Sequence, residues 1–168
     1  WAKQQGPKAW AKAQSVCQRT PDGGGYWEHP NKKEPKLTLA WPVAGEADHA
    51  LKFEARFTSF GHCGIFFEQT AVWQELYNRT VALREHLGRA PKMVNLFGYT
   101  GCASLAMAAA GAEVFHVDSA KGVLSWGKSN AALNPWITGS VRWIHDDIRS
   151  FLQFSEKREF SYDGILVD

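Results

Sequence analysis

The sequence predicts an α/β fold: a parallel sheet wound with helices, preceded by a small β-rich appendage. Three observations carry the prediction. From Lys92 onward, short apolar runs alternate with helix-compatible stretches, the pattern of parallel strands joined by right-handed crossovers. Apolar Leu51, Phe53, Ala55 and Phe57 alternate with polar Lys52, Glu54, Arg56 and Thr58, the period of a half-buried antiparallel strand. And the run Val94-Asn95-Leu96-Phe97-Gly98-Tyr99-Thr100-Gly101-Cys102-Ala103-Ser104 reads as a strand, a tight glycine turn and the start of a small-residue helix.

Taken in order, residues 1–20 are rich in Lys, Gln and Ala and read as a weak helix or a loose segment. Pro21 to Gly25 is a turn by composition, Tyr26 to Glu28 starts a short strand, and Leu37 to Trp41 is a strand stopped by Pro42. Gly61 to Gln69 turns into a helix that Thr70 can cap, with Val72, Trp73, Leu76, Leu83 and Leu87 on its apolar face and Gly88 at its end. Strands follow at Met93–Phe97, Glu113–Val117, Val141–His145 and Tyr162–Val167, with helices at Ala103–Ala110, Lys121–Leu133 and Ile148–Phe154. Gly111 closes the first of these helices, and Asn134-Pro135 closes the second. The expected division is an appendage over residues 1–60 and an α/β domain over 61–168.

The 168 residues, 45% of them apolar, suffice for a real core, and no apolar run approaches the roughly 18 residues that span a bilayer. The chain opens on Trp1 without a signal-peptide pattern and stops at Asp168 after an apolar run, so we expect a fragment cut in mid-fold. Cys17, Cys63 and Cys102 have no framework spacing, which suits reduced thiols and a cytoplasmic location. Residues 1–36 carry seven Lys/Arg against three Asp/Glu, a balance of +4, whereas residues 37–168 carry twelve against fourteen, a balance of −2. The basic end faces either a polyanion or solvent. Four of the eight tryptophans fall within the first 41 residues, where filling a small sheet's core outweighs stacking on bases as their use.

The chemistry gathers around the glycine turn. Gly98 and Gly101 permit positive φ and close approach of backbone amides, and the helix behind them offers unsatisfied N–H groups to an anion. Asp118 ends the next strand, 17 residues after Gly101, where its oxygens can accept both hydroxyls of a ribose; the plainer reading is a cap for the segment after it. His145-Asp146-Asp147 ends the third strand, placing one carboxylate beside an adenine and the other at a helix cap. The adjacent acids lack further residues at metal-ligand spacing, and no metal is expected. Asp168 ends the fourth strand, where a reaction centre lies in such sheets. Among the histidines, His116 reads as a core residue, His62 as a border of the pocket, and His145 as packing.

A dinucleotide site needs G-x-G-x-x-G, but β-branched Thr100 stands where the middle glycine should, and no phosphate loop of the G-x-x-x-x-G-K-[ST] type occurs. The site therefore suits an adenosine ligand without phosphates, S-adenosylmethionine being one.

Asn95-Leu96-Phe97-Gly98-Tyr99-Thr100-Gly101 resembles the first motif of class I S-adenosylmethionine-dependent methyltransferases, and most closely the N-L-F-A-Y-T-G of the large-subunit ribosomal RNA methyltransferases. Further segments match in order. Gly64 to Gln69 resembles G-x-F-x-[DE]-Q, Val117-Asp118 the ribose motif, Ser129 to Asn134 the E-N-A-x-L-N helix end, Asp147 to Leu152 the D-x-x-x-F-L adenine motif, and Tyr162 to Asp168 the strand entering D-P-P. The likeness covers residues 60–168. It implies a Rossmann-like sheet of order 3-2-1-4-5-7-6, of which this chain would supply the first four strands, the last at an exposed apolar edge.

The resemblance further implies S-adenosylmethionine as donor. Gly98, Tyr99, Thr100 and Gly101 would line its methionine end, Asp118 would hold the ribose and Asp147 the adenine, with Asn95, Phe97 and Ser119 also among the donor-binding residues. Phe67 and Gln69 would close the pocket, and Asp168 would lie near the transferred methyl. The chain departs from the pattern in having Gly98 for the usual alanine and Cys102 for the usual glycine. Neither Cys63 nor Cys102 sits where a nucleophile toward a base ring is wanted. Three readings stay open: a methyltransferase acting on RNA, with ribosomal RNA as the expected partner; an NAD-type oxidoreductase; and a non-catalytic adenosine-binding module.

Overall fold

The computed structural model describes residues 12, 13, 15–21, 23–29, 35–43 and 49–167. They divide into two compact units, residues 1–38 with 54–64, and residues 39–53 with 65–168. Compactness thus gives residues 39–53 to the larger unit, where the sequence draws one boundary after residue 60.

In the smaller unit, β1 (Val16–Arg19) pairs antiparallel with β2 (Gly25–Glu28). This corrects the reading of residues 16–19 as helical or loose; the rest of that segment lies largely outside the described residues. The turn at Thr20–Gly24 has the predicted composition: Gly23 takes φ +86°, which frees its N–H to reach the Thr20 carbonyl. Trp27 packs edge-on against Phe57 at 4.8 Å, and its Nε1–H donates to the Thr58 carbonyl. Its use is core filling, with the indole N–H satisfied. His62 closes a tight turn, its N–H donating to Thr58 Oγ1 and its carbonyl accepting from Thr58.

β3 (Leu37–Pro42) and β4 (Ala50–Ala55) form a second two-stranded ribbon. The period-two pattern holds in β4, where Leu51, Phe53 and Ala55 are buried and Lys52 is exposed.

The larger unit continues with a 3-10 turn at Phe67–Gln69 and α1 (Thr70–Leu87). Thr70 does not cap this helix. Its hydroxyl donates backward to the Phe67 carbonyl, and the N-cap position falls to Gln69, whose side chain does not cap the helix. The expected face holds at Trp73, which is buried, and at Leu76 and Leu83, which pack against the core; Tyr77 and Thr80 are buried with them, whereas Val72 is exposed. Gly88 ends the helix at φ 63°, as its position implies.

Then come β5 (Lys92–Leu96), α2 (Cys102–Ala109), β6 (Glu113–Asp118), α3 (Lys121–Ala132), β7 (Ser140–His145), α4 (Ile148–Lys157) and β8 (Gly164–Val167). All four strands are parallel, in the order β7-β6-β5-β8. That is the Rossmann-like arrangement predicted. β8 starts two residues later than expected because Asp163 is occupied otherwise. Its carboxylate takes a bidentate pair from Arg89 at 2.8 Å and the Lys92 N–H at 2.7 Å, and its own N–H binds the Lys92 carbonyl. These bonds, the Arg89 pair foremost, hold the Asp163 carboxyl down at about 2.

Apolar residues line both faces of the sheet, as a doubly covered parallel sheet demands. On one face Met93 and Val114 pack with Met107, Ala108 and, from α1, Leu76 and Leu83. On the other, Val94, Leu96 and Val117 pack with Phe151 of α4, joined by Ile144 and Tyr162. Ile165 and Val167 pair in register with Val94 and Leu96, yet are 59% and 64% exposed, giving the apolar edge expected of the fourth strand.

Candidate functional site

The site lies where β5 and β6 end side by side. The turn after β5 is strained: Phe97 has φ 59° and Tyr99 φ 51°, both in the left-handed region that bulky residues avoid. Gly101 follows at φ 87°, with its N–H on the Gly98 carbonyl at 3.1 Å. Gly98 itself is not in positive φ, contrary to the sequence reading; its glycine identity has another cause. A Cβ there would stand 2.4–2.8 Å from the ring atoms of His116, so Gly98 is small because a histidine lies beneath it. A Cβ at Gly101 would likewise meet Trp143 at 2.8 Å.

His116 is the core residue predicted, fully buried within β6. Its Nδ1 is 2.8 Å from Ser104 Oγ, which in turn accepts from Asn95 Nδ2 at 2.9 Å. The Trp143 ring lies 4.5 Å away. Burial pushes the imidazole down to about 4, outweighing the opposing pull of the Asp118 charge and the Tyr99 backbone. The floor of the turn is therefore a neutral ring at ordinary pH. Asn95, expected at the donor, has its Nδ2 in this buried network, and its buried Oδ1 has no hydrogen-bond partner.

Asp118 closes the other side. Its Oδ2 accepts from the Tyr99 N–H at 3.0 Å and its Oδ1 from the Ala120 N–H at 2.8 Å. The N-cap of α3 is Ala120, which makes no side-chain bond, so Asp118 is not the cap of that helix. An ionised carboxylate has about four acceptor sites, so two backbone bonds leave room for hydroxyl donors. The N-cap of α2 is Gly101, which has no side chain to bond the helix's first N–H groups. An acceptor-only carboxylate beside a helix N-terminus is a donor and acceptor set that suits an adenosine carrying an amino-acid carboxylate.

At the neighbouring strand end, Asp147 is the N-cap of α4, its Oδ1 accepting from Arg149 at 2.9 Å and Ser150 at 3.3 Å. The Asp146 N–H reaches the Asp118 carbonyl at 3.3 Å, and His145 Nε2 lies 3.0 Å from the carbonyl of exposed Ser119, so the ends of β6 and β7 are tied together. Of the residues before α1, Phe66 rather than Phe67 meets the turn, its ring centroid 5.4 Å from that of Tyr99, while the Phe67 ring is 53% exposed and Gln69 sits at the base of α1. Thr100 is buried, with Oγ1 3.8 Å from Cys102 Sγ. Phe97 is 55% exposed at the mouth. Asp168 lies outside the described residues. Among the described residues, no three His, Cys, Asp or Glu side chains group as metal ligands, and no helix is long and apolar enough to cross a membrane.

Sequence reasoning missed the second ring of the site. Trp126 lies 6.5 Å from Tyr99, and Asn130 donates to the Thr100 carbonyl at 3.0 Å. One turn apart on α3, they had a findable signal in their shared helical face.

No protein-family model matches the chain. It is 30% identical over 122 residues to the Ribosomal RNA large subunit methyltransferase K/L of Shewanella oneidensis, a match that covers 72% of this chain and 16% of that protein. The chain thus spans about one sixth of the length of such curated relatives. Among solved structures, an Agrobacterium tumefaciens SAM-dependent methyltransferase superimposes with a TM-score of 0.81 at 38% identity, over 97% of this chain and 49% of that one. A T. thermophilus rRNA methyltransferase in complex with AdoMet and guanosine shares the fold, with a TM-score of 0.54 at 19% identity over 92% of this chain and 40% of that one. By sequence and by fold, then, the chain is similar to the class I S-adenosylmethionine-dependent methyltransferases.

Proposed function

We propose that this chain carries the donor-binding part of an S-adenosylmethionine-dependent methyltransferase that modifies a base of RNA, with ribosomal RNA the substrate class. The observation that supports the donor is the meeting of Asp118 and the Phe97–Gly101 turn at one rim of the sheet. Asp118 would accept the ribose hydroxyls, the turn and the N-terminus of α2 would face the methionine carboxylate, and Asp147 would stand at the adenine while capping α4. Phe67, Gln69, Ser119 and Asn95 belong to the proposed donor site on the strength of the motifs, as does Asp168 near the transferred methyl. Bound donor supplies a methyl group activated by its sulfonium. The protein's contribution is alignment of the two reactants.

The RNA assignment is supported by the name of the Shewanella relative and by the basic residues 1–36. The proposed division of labour gives residues 1–60 the grip on RNA and residues 61–168 the donor. In the smaller unit Tyr26 and Phe60 are 54% and 70% exposed, ring faces open to stacking on unpaired bases. A cytoplasmic location belongs to the same proposal.

Calorimetric titration tests the donor. S-adenosylhomocysteine should bind in the micromolar range and NAD should not; NAD binding without S-adenosylhomocysteine binding overturns the reading in favour of an oxidoreductase domain. For the substrate, Phe60→Ala and Tyr26→Ala should weaken binding of a single-stranded ribosomal RNA fragment without changing S-adenosylhomocysteine affinity. Unaltered RNA binding by both variants removes the role given to the smaller unit.

A further inference from the structure

We propose that Asn130 is a positioning residue for the donor loop. It holds the Thr100 carbonyl so that residues 98–101 keep the shape in which the donor binds. The inference rests on the methyl-donor reading above. Asn130 is fully buried on α3, where an asparagine is a poor helix former and a buried amide is costly unless bonded. Its Nδ2 donates to the Thr100 carbonyl at 3.0 Å. That carbonyl sits between Tyr99 and Gly101, two left-handed residues in a turn that no regular strand or helix ladder stabilises.

Asn134, just past the end of α3, serves a different stretch of backbone. Asn134 donates to the Asn130 carbonyl at 2.8 Å, and clamps the backbone of Lys52 with two further bonds of 2.8 Å, accepting from its N–H and donating to its carbonyl. On the other side, Trp126 lies beside Tyr99, and Gly127 makes room for the Trp143 ring that also underlies Gly101. Trp126 and Asn130 thus share one face of α3, with Asn130 the residue that reaches the loop backbone. It acts through Thr100 and not on the donor.

The test is S-adenosylhomocysteine titration of the full chain, with thermal unfolding alongside. Asn130→Leu keeps the shape but cannot donate, and should weaken binding about tenfold, the worth of one buried hydrogen bond. Asn134→Ala should lower the melting temperature and leave affinity within about twofold. Asn130→Leu binding as tightly as the wild type overturns the proposal, as does equal weakening by both variants. If Asn130→Leu does not fold, the wild-type Asn130 side-chain amide resonance decides: it should move on saturation with S-adenosylhomocysteine, and a stationary resonance overturns the proposal. Failure of the wild type to bind S-adenosylhomocysteine is a different result, and removes the donor reading itself.

Discussion

Asp118 Oδ2 accepts a 3.0 Å hydrogen bond from the backbone N–H of Tyr99, which lies in the left-handed region at φ 51°. The carboxylate that ends β6 therefore holds the strained turn that follows β5. One side chain shapes the loop and also presents an acceptor at the rim of the sheet.

Removing that carboxylate should act twice. Asp118→Ala should weaken S-adenosylhomocysteine binding by about 2–3 kcal/mol, roughly 30- to 150-fold, the scale of charge-assisted hydrogen bonding to a ribose. It should also lower the melting temperature, because the Tyr99 and Ala120 N–H groups lose their acceptor. Calorimetry on the variant checks the first effect, and an affinity equal to wild type sinks the ribose assignment.

Gly98 and His116 should be coupled. Gly98→Ala puts a methyl group into the imidazole ring and should cost about 1–3 kcal/mol of stability, the usual range for overpacking. The methyltransferases that this chain resembles have alanine at that position. In the background of His116→Val the same glycine substitution should become nearly neutral. A double-mutant cycle in urea that finds the two effects additive rules out the steric account.

His116 should make folding stability depend on pH. The folded imidazole titrates near 4, below the ordinary 6.5, so between these values the unfolded chain binds more protons. Stability should therefore fall as pH drops through this window, by an amount on the order of 3 kcal/mol, and level off below it. His116→Gln should flatten this part of the profile, measured by urea unfolding at a series of pH values.

Asp147 carries two roles that substitution can separate. Asp147→Ala should destabilise α4 by about 1 kcal/mol through loss of its cap, whereas Asp147→Ser should retain most of that stability. If the residue also receives the adenine amine, both variants should weaken S-adenosylhomocysteine binding. Loss of stability alone, with binding intact, leaves Asp147 only the cap.

The strand and helix order from Lys92 onward was legible because each element carries its own period and its own stop. Gly88 and Gly111 end helices at φ 63° and 91°, as their positions imply. Asp118 was legible too, since its place depends only on being last in a strand beside a turn. The reading failed where a side chain's job depends on a partner distant in sequence. Val72 is apolar and in phase, yet is exposed, while Tyr77 and Thr80 join Trp73 in the buried stripe of α1. Residues 16–19 look helical by composition, yet pairing with Gly25–Glu28 makes them a strand.

By itself the sequence determined the alternation of strands and helices, the parallel sense of the strands and the strand end on which the acid lies, since periodicity and turn chemistry are local properties of the chain; the strand order came with the family resemblance. Tertiary structure alone decided why position 98 is glycine, which aromatic ring meets Tyr99 and what holds the Thr100 carbonyl. Those answers lie with His116, Phe66 and Asn130, brought to the turn from other elements. Steric exclusion and hydrogen bonding at 3 Å act across space, and no spacing along the chain encodes them.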